Sequence, residues 1–394
     1  MRDRVPTPGR ENRVKITQDD GTIVSGVLEY NDQATQEGSA YNKANVLPDD
    51  VCNAYNIDKV TSEPKDAFLA VPAIMGKALL TITVTKINGQ PYPGVVVNGL
   101  SNIDTPRRTT NDEGKVVVYV DAGTYNLTFA PNPVCVDTSI PSKQVTVSAG
   151  GTGNVTTQEA SNGLTSLDIT STKTIGFSAK VQNLDIFCVG GGGGGGGTAD
   201  GSHSSGGGGG GGRTSTRLNA IFTPYTPYRA IIGNGGAGGS AGYGGRGGTG
   251  GTTSLLGINS TGGGGGDPGT EDIGAGAGGD GGSGGGSGTR NGGDDGSDGQ
   301  NSGVSSGGQG QGSTTRAFGE PTGQIYSGGG GGGNDGRGGT GAGYGGSTGS
   351  QGGDATGYGG GGGGGATTTM NPTSGRAGGK GYQGLIKLRW VNAL

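Results

Sequence analysis

From Ala78 onward apolar and polar residues take turns: Leu80, Ile82 and Val84 alternate with Thr81, Thr83 and Thr85. Such alternation sends one set to each side of a strand, so one face is buried and the other wet. LLTITVTKI (79–87), VVVNGL (95–100), KVVVYV (115–120), TYNLTFA (124–130), KQVTVSA (143–149) and NVTTQEA (154–160) follow one another with NGQPYPG and DAG among the turns. Short strands broken this regularly predict a small β-sandwich over about 78–158. Upstream, VKITQ (14–18) and GTIVSGVLEY (21–30) read as a hairpin turned by Asp19, Asp20 and Gly21. Residues 31–57 read as a loop and short helices, the last opened by Pro48, Asp49 and Asp50 with Val51, Ala54 and Tyr55 on one face. Residues 1–65 are too small for a catalytic domain and suit an attachment module, with 66–77 as a connector. Beyond the sandwich, strands at about 165–178 and 181–189 run straight into poly-glycine.

The pattern then stops, because the composition changes. Of the 100 glycines, 15 lie in residues 1–189 and 85 in residues 190–394. Ordering a glycine costs about 0.5–1 kcal/mol more than ordering alanine, so such a segment by itself tends to a flexible tether. Three features predict structure instead. Glycine recurs every third residue through 235–251 at Gly236, Gly239, Gly242, Gly245, Gly248 and Gly251, and again at Gly276, Gly279, Gly282, Gly285 and Gly288. Three residues per turn is the polyproline II repeat, and glycine on one face lets neighbouring backbones approach and bond. The run 235–251, taken as one strut, would span about 50 Å. Pure glycine runs at 190–197, 206–212, 262–266, 328–333 and 359–365 have similar lengths, as a bundle with loops at its ends requires. Finally, GLIKLRW (384–390) is a closing strand, useful only with a partner to pair with.

Some of these segments carry resemblances. GQPYPGVVV and TTNDEGKVVVYVDAGTYNLTF resemble the carboxypeptidase-regulatory-like and related Ig-like modules, which implies a spacer or a carbohydrate-adhesive domain, and the lack of surplus aromatics favours the spacer. LDIFCVGGGGGGGG, TPYRAIIGNGGAGGSAGYGGRGGTGGTTSLLG and GYQGLIKLRW resemble the glycine-rich domain of phage and prophage tail appendages. ATQEGSAYNKANVLPDD is similar to the start of many Firmicutes prophage tail proteins. Together they imply a mainly β and irregular chain: an attachment module (1–65), an Ig-like sandwich (78–158) and a glycine-rich polyproline II/β domain (162–394). They imply a tail fibre or appendage of a virion, docked to other tail proteins by its N-terminus and touching a bacterial surface receptor, glycan or protein, through loops. Stacked polyproline II helices with loops at one tip are the architecture of the adhesins on T-even-like tail fibres. A homotrimer and a bundle closed within one chain are both open.

On that reading the struts are scaffold and the candidate contacts lie in loops 198–205, 267–273, 289–302, 313–327 and 366–374. The richest is 313–327, where Arg316, Phe318, Glu320 and Tyr326 could stack on and hydrogen-bond a ligand; packing of Phe318 and Tyr326 against the bundle is the alternative. His203, the single histidine, sits in the first loop. Tyr243, Tyr344 and Tyr358 are expected to cover strut surface.

Composition removes several chemistries. With 27 basic and 31 acidic residues, the chain is not built for a polyanion, so nucleic acid is not an expected partner. Cys52, Cys135 and Cys188 stand far apart without a CxxC pair, so neither zinc nor a disulfide framework is expected. GxGxxG matches mean nothing at this glycine density, because no βαβ context surrounds them. No cofactor, metal or catalytic residue is expected, and nothing long and apolar enough to enter a membrane is present. MRDRVPTPGRENR holds no apolar stretch, so synthesis in a cytoplasm is expected. A polysaccharide depolymerase, with paired carboxylates on a rigid groove, stays open as a rival, as does a glycine-rich ice-binding or cell-envelope protein.

Overall fold

The computed structural model describes residues 13–17, 21, 23–27, 52, 76–200, 204–270, 276–288, 315–367 and 374–393. The chain divides into two compact units, 1–72 and 73–394. In the first, β1 (Arg13–Thr17) pairs antiparallel with β2 (Ile23–Val27), the hairpin expected from VKITQ. Of the helices expected over 31–57, only Cys52 is described, helical and buried; the rest lie outside the described residues.

The second unit opens on the sandwich. Its strands are β3 (Ala78–Thr85), β4 (Val96–Asn98), β5 (Lys115–Val120), β6 (Gly123–Ala130), β7 (Thr138–Ser139), β8 (Lys143–Val147) and β9 (Thr152–Gln158). One sheet has the order β5-β3-β9 and the other β4-β6-β8, while β7 pairs with a further short strand, β10 (Ala160–Ser161). The expected alternation is observed in β3, where Leu80, Ile82 and Val84 are fully buried. They pack against Val116, Val118, Val97, Leu127 and Val147 in a single core.

The remaining strands are β11 (Ser166–Ile169), β12 (Lys173–Ile175), β13 (Val181–Val189), β14 (Thr214–Arg217), β15 (Tyr228–Ala230), β16 (Thr253–Leu255), β17 (Ile258–Ser260) and β18 (Leu385–Asn392). Four of them form a sheet of order β11-β18-β13-β14. The closing strand β18 thus finds partners on both sides, as its apolar pattern required. Ile186, Ile386, Leu388 and Trp390 on one face join Ile169, Phe177 and Ile232 in the core below.

Glycine takes over without a break in register. Val189 pairs with Leu385 and with Thr214 in the sheet; beyond it, the Gly190 amide donates to the Arg213 carbonyl (2.9 Å) and the Gly192 amide to Tyr382 (2.9 Å). What changes is direction. Amides 190, 193 and 196 donate to residues 213, 210 and 207; amides 191, 194 and 197 to 251, 248 and 245; amides 192, 195 and 198 to 382, 379 and 376. Three residues therefore complete one turn, and the bonds all leave the segment, which is the polyproline II arrangement. The carbonyls do the same, accepting from 263, 266 and 269, from 236 and 239, and from 362 and 365. Segment 190–198 is thus the buried axis of a bundle with six neighbours, which only glycine permits. Each such bond contributes about 1 kcal/mol net, enough to offset the extra entropy of an ordered glycine.

One expectation needs correction. Residues 235–251 are not one strut but two, 234–240 and 245–251, folded back at 241–244. The Gly245, Gly248 and Gly251 amides donate to Ser240 (3.0 Å), Ala237 (2.7 Å) and Asn234 (2.7 Å). Gly242 and Gly244 stand at φ +91° and +66°, conformations that L side chains rarely adopt, and so let the chain reverse. Each leg is about 20 Å long rather than 50 Å. Gly242 is accordingly a turn residue, whereas a Cβ on Gly236, Gly239, Gly276, Gly279, Gly282 or Gly285 would run into neighbouring backbone. The outward third positions hold as expected at Ala237, Ser240, Arg246 and Thr249, all exposed.

Candidate functional site

Because the struts carry the sheet's register, the bundle has two distinct ends. The sheet lies at the end marked by residues 190, 213, 251 and 382, and the chain ends near 198, 207, 245 and 376 lie opposite. At that far end the turns are tied to one another. The Thr198 amide donates to the Arg376 carbonyl (2.8 Å) and the Ala199 amide to Gly269 (3.0 Å). The Asp200 amide donates to Gly242 (2.6 Å), and the Gly375 amide donates to the Asp200 carboxylate. Arg376 reaches across with Nε to the Gly349 carbonyl (2.6 Å) and with Nη1 to Ser374 Oγ (2.8 Å). Ser204 and Thr367 exchange bonds of 3.2 and 2.9 Å, and Arg246 pairs with Asp267 at 3.0 Å.

Three of the expected loops, 198–205, 267–273 and 366–374, therefore converge here at their described residues. Loop 289–302 lies outside the described residues, though Gly288, just before it, belongs to the same end through Gly276 (3.1 Å). His203 is likewise outside them. Two turns outside those loops also belong to the tip: 241–244, which the sequence places within a strut, and 347–350. Tyr243 is the main consequence. Expected to cover strut surface, its side chain is instead 97% exposed at the apex of its turn. Tyr344, also expected to cover a strut, is 65% exposed on the flank of the bundle. Tyr358 does pack, edge-on against Tyr382 at 5.5 Å. The one signal for Tyr243 in the sequence was a large ring between two glycines in a run otherwise free of rings.

Loop 313–327 is at the other end. Its described part clasps the outer face of the sheet, where alternation in β13 and β18 leaves Phe187, Val189 and Leu385 needing cover. Tyr326, 5% exposed, lies 5.4 Å from the Phe187 ring and Phe318 lies 6.2 Å from it. The Arg389 guanidinium sits 4.2 Å over Phe318 and pairs with Glu320 (2.7 Å) and Asp185 (2.8 Å). Arg316 bridges Ile325 through its backbone. The four residues expected to contact a ligand are thus brought together, but on the sheet; Tyr326 has no free face to offer.

The bundle is also held to the sandwich. Tyr225 stands edge-on to Tyr92 at 5.4 Å and donates to Glu159 Oε2 (2.8 Å). The buried Glu159 also accepts from Thr138 Oγ1 (2.5 Å) and the Ile87 amide (3.1 Å). Burial, then the bond to Glu159, pushes the Tyr225 phenol well above its usual range. Asp137, fully buried, accepts from the Ser178 amide (2.9 Å) and hydroxyl. These carboxylates are consumed by donors and serve as joints. Among the described residues no three His, Cys, Asp or Glu side chains gather as metal ligands, and no helix is long and apolar enough to cross a membrane.

A family model described as a glycine-rich domain matches residues 165–391, more than half of the chain. No curated protein matches. Among solved structures, the Bacillus anthracis TIE protein is similar at 16% identity and a TM-score of 0.17, over 29% of this chain and 22% of that one. The chain spans less than a quarter of that protein's length.

Proposed function

This chain belongs to the glycine-rich domain family through residues 165–391, and from that footing we propose that it is a non-enzymatic attachment protein of a virion tail. Residues 1–65 dock it to other tail proteins, the sandwich is a spacer, and the far end of the glycine bundle meets a receptor on a bacterial surface. One observation carries this reading: chemically varied turns are gathered at one end of a scaffold whose own polar groups are spent on itself. Contact-making residues are commonly presented in this way, on loops fixed by a rigid frame. The joint at Glu159 and Tyr225 supports it too, since a stiff arm transmits the position of its tip. The bonds of segment 190–198 close within one chain, which supports a bundle that a single chain completes.

The test is adsorption of the fluorescently labelled full chain to a panel of intact Gram-positive and Gram-negative cells. Ser374→Trp adds bulk at the tip, and Thr249→Trp adds the same bulk at an exposed position on the flank. Attachment by the tip predicts at least a tenfold loss for the first and less than a twofold change for the second. Equal effects, or no adsorption to any cell by the parent chain, would overturn it.

A further inference from the structure

Among its described residues the tip holds one large ring, and it is presented rather than stored. Tyr243 is 97% exposed, yet the turn that carries it is tied to the neighbouring segment. Ala199 bridges Gly242 and Tyr243, and the Asp200 amide binds the Gly242 carbonyl. Leaving a ring of this size in water forgoes the stabilisation of burying it, and nothing in the turn's packing requires it. Beside it stands the exposed Asp200 carboxylate. One of its oxygens accepts the Gly375 amide; the other lies 3.8 Å from the point where a Cβ on Gly242 would sit. Ser374 Oγ, exposed and already accepting from Arg376, adds a hydroxyl to the same end.

We infer that the turn 241–244 and Asp200 form a subsite for a neutral hexose, its C–H face on the Tyr243 ring and its hydroxyls on the free Asp200 oxygen and Ser374. The chemistry of the surroundings selects this class. Arg246 is paired with Asp267, Arg376 is committed to the Gly349 carbonyl and Ser374 Oγ, and the Asp200 carboxylate itself repels an anionic ligand. A single ring does not make the aromatic cage that recognises a quaternary ammonium. An apolar face beside hydroxyl acceptors is what a hexose matches. The inference rests on the attachment reading and names the ligand of that same tip.

The test uses the full chain against immobilised glucose-, galactose- and mannose-terminated oligosaccharides, sialylated controls, and the cell panel above. Tyr243→Ala, Tyr243→Phe and the flank variant Tyr344→Ala are compared, with melting temperature as the check on folding. The expected result is binding to a neutral oligosaccharide that falls more than tenfold in Tyr243→Ala and stays within twofold in Tyr243→Phe and Tyr344→Ala. Cells that bind Tyr243→Ala as well as the parent, or binding to sialylated controls alone, would overturn the subsite and leave the attachment reading standing. Absence of both cell and oligosaccharide binding by the parent chain would overturn both.

Discussion

Gly194 lies on the buried axis of the bundle, and replacing it by alanine tests whether backbone contact holds the domain together. Its amide donates to the Gly248 carbonyl (2.8 Å) and its carbonyl accepts from the Gly266 amide (2.9 Å), so two faces are committed. A Cβ on the third face would sit 1.9 Å from the Ala237 carbonyl oxygen and 2.5 Å from its carbon. Relief demands that segment 234–240 withdraw by more than about 1 Å, since carbon–oxygen contacts need roughly 3 Å or more. That segment is held by the Gly236 and Gly239 amides, each 2.8 Å from the carbonyls of Gly192 and Gly195. Withdrawal breaks both bonds in a buried setting, at about 1–3 kcal/mol apiece, or about 2–6 kcal/mol in all. The backbone entropy that alanine saves, about 0.5–1 kcal/mol, does not offset this. Calorimetry of the full chain should show the glycine-rich domain melting roughly 5–20 °C lower, at about 2–4 °C per kcal/mol for a domain of this size, while the sandwich transition stays in place. Gly123→Ala is the control: a Cβ there meets nothing within 4 Å, and a change within about 1 kcal/mol is expected. If Gly194→Ala melts within about 2 °C of the parent, the close backbone packing described above is wrong.

Three further expectations follow from other parts of the molecule. Amides 190–198, buried and donating to three neighbouring segments, should exchange with solvent among the slowest in the chain; exchange at unfolded-chain rates would mean a tether instead of a bundle. Phe187→Ala empties the space between Tyr326 and Phe318 and should cost about 3–5 kcal/mol in chemical denaturation, where a loss under about 1 kcal/mol would show that the clasp does not close the sheet. Burial pushes the Cys188 thiol up to about 12, and burial with the nearby Glu159 and Asp137 charges does the same for Cys135. Both should resist iodoacetamide at pH 8 until the chain unfolds. Their raised values favour the folded state below the unfolded thiol's value of about 8.5, and that contribution should fade as pH climbs from there toward 12.

Much of the fold was legible because it rests on side-chain periodicity. The alternation of Leu80, Ile82 and Val84 with threonines could satisfy water and core together only as a strand, and LIKLRW at the far end of a polar chain demanded partners. The three-residue glycine period likewise announced struts that pack through their backbones. Its meaning for neighbours was not legible, since every strut offers the same amide, the same carbonyl and the same bare face. Nothing local distinguishes the glycine that continues a strut from Gly242, which keeps the period while turning the chain around. For the same reason the tip was not legible: loop 313–327 is richest by residue type, but Phe187, far upstream in the sequence, captures its rings. What the sequence determined by itself was the kind of element each stretch could form, through spacing and through the absence of side chains. Which element lies beside which, and therefore which ring is buried and which stands in water, was decided only in the tertiary structure, because backbone hydrogen bonds between glycines carry no residue-specific information and are assigned by register alone.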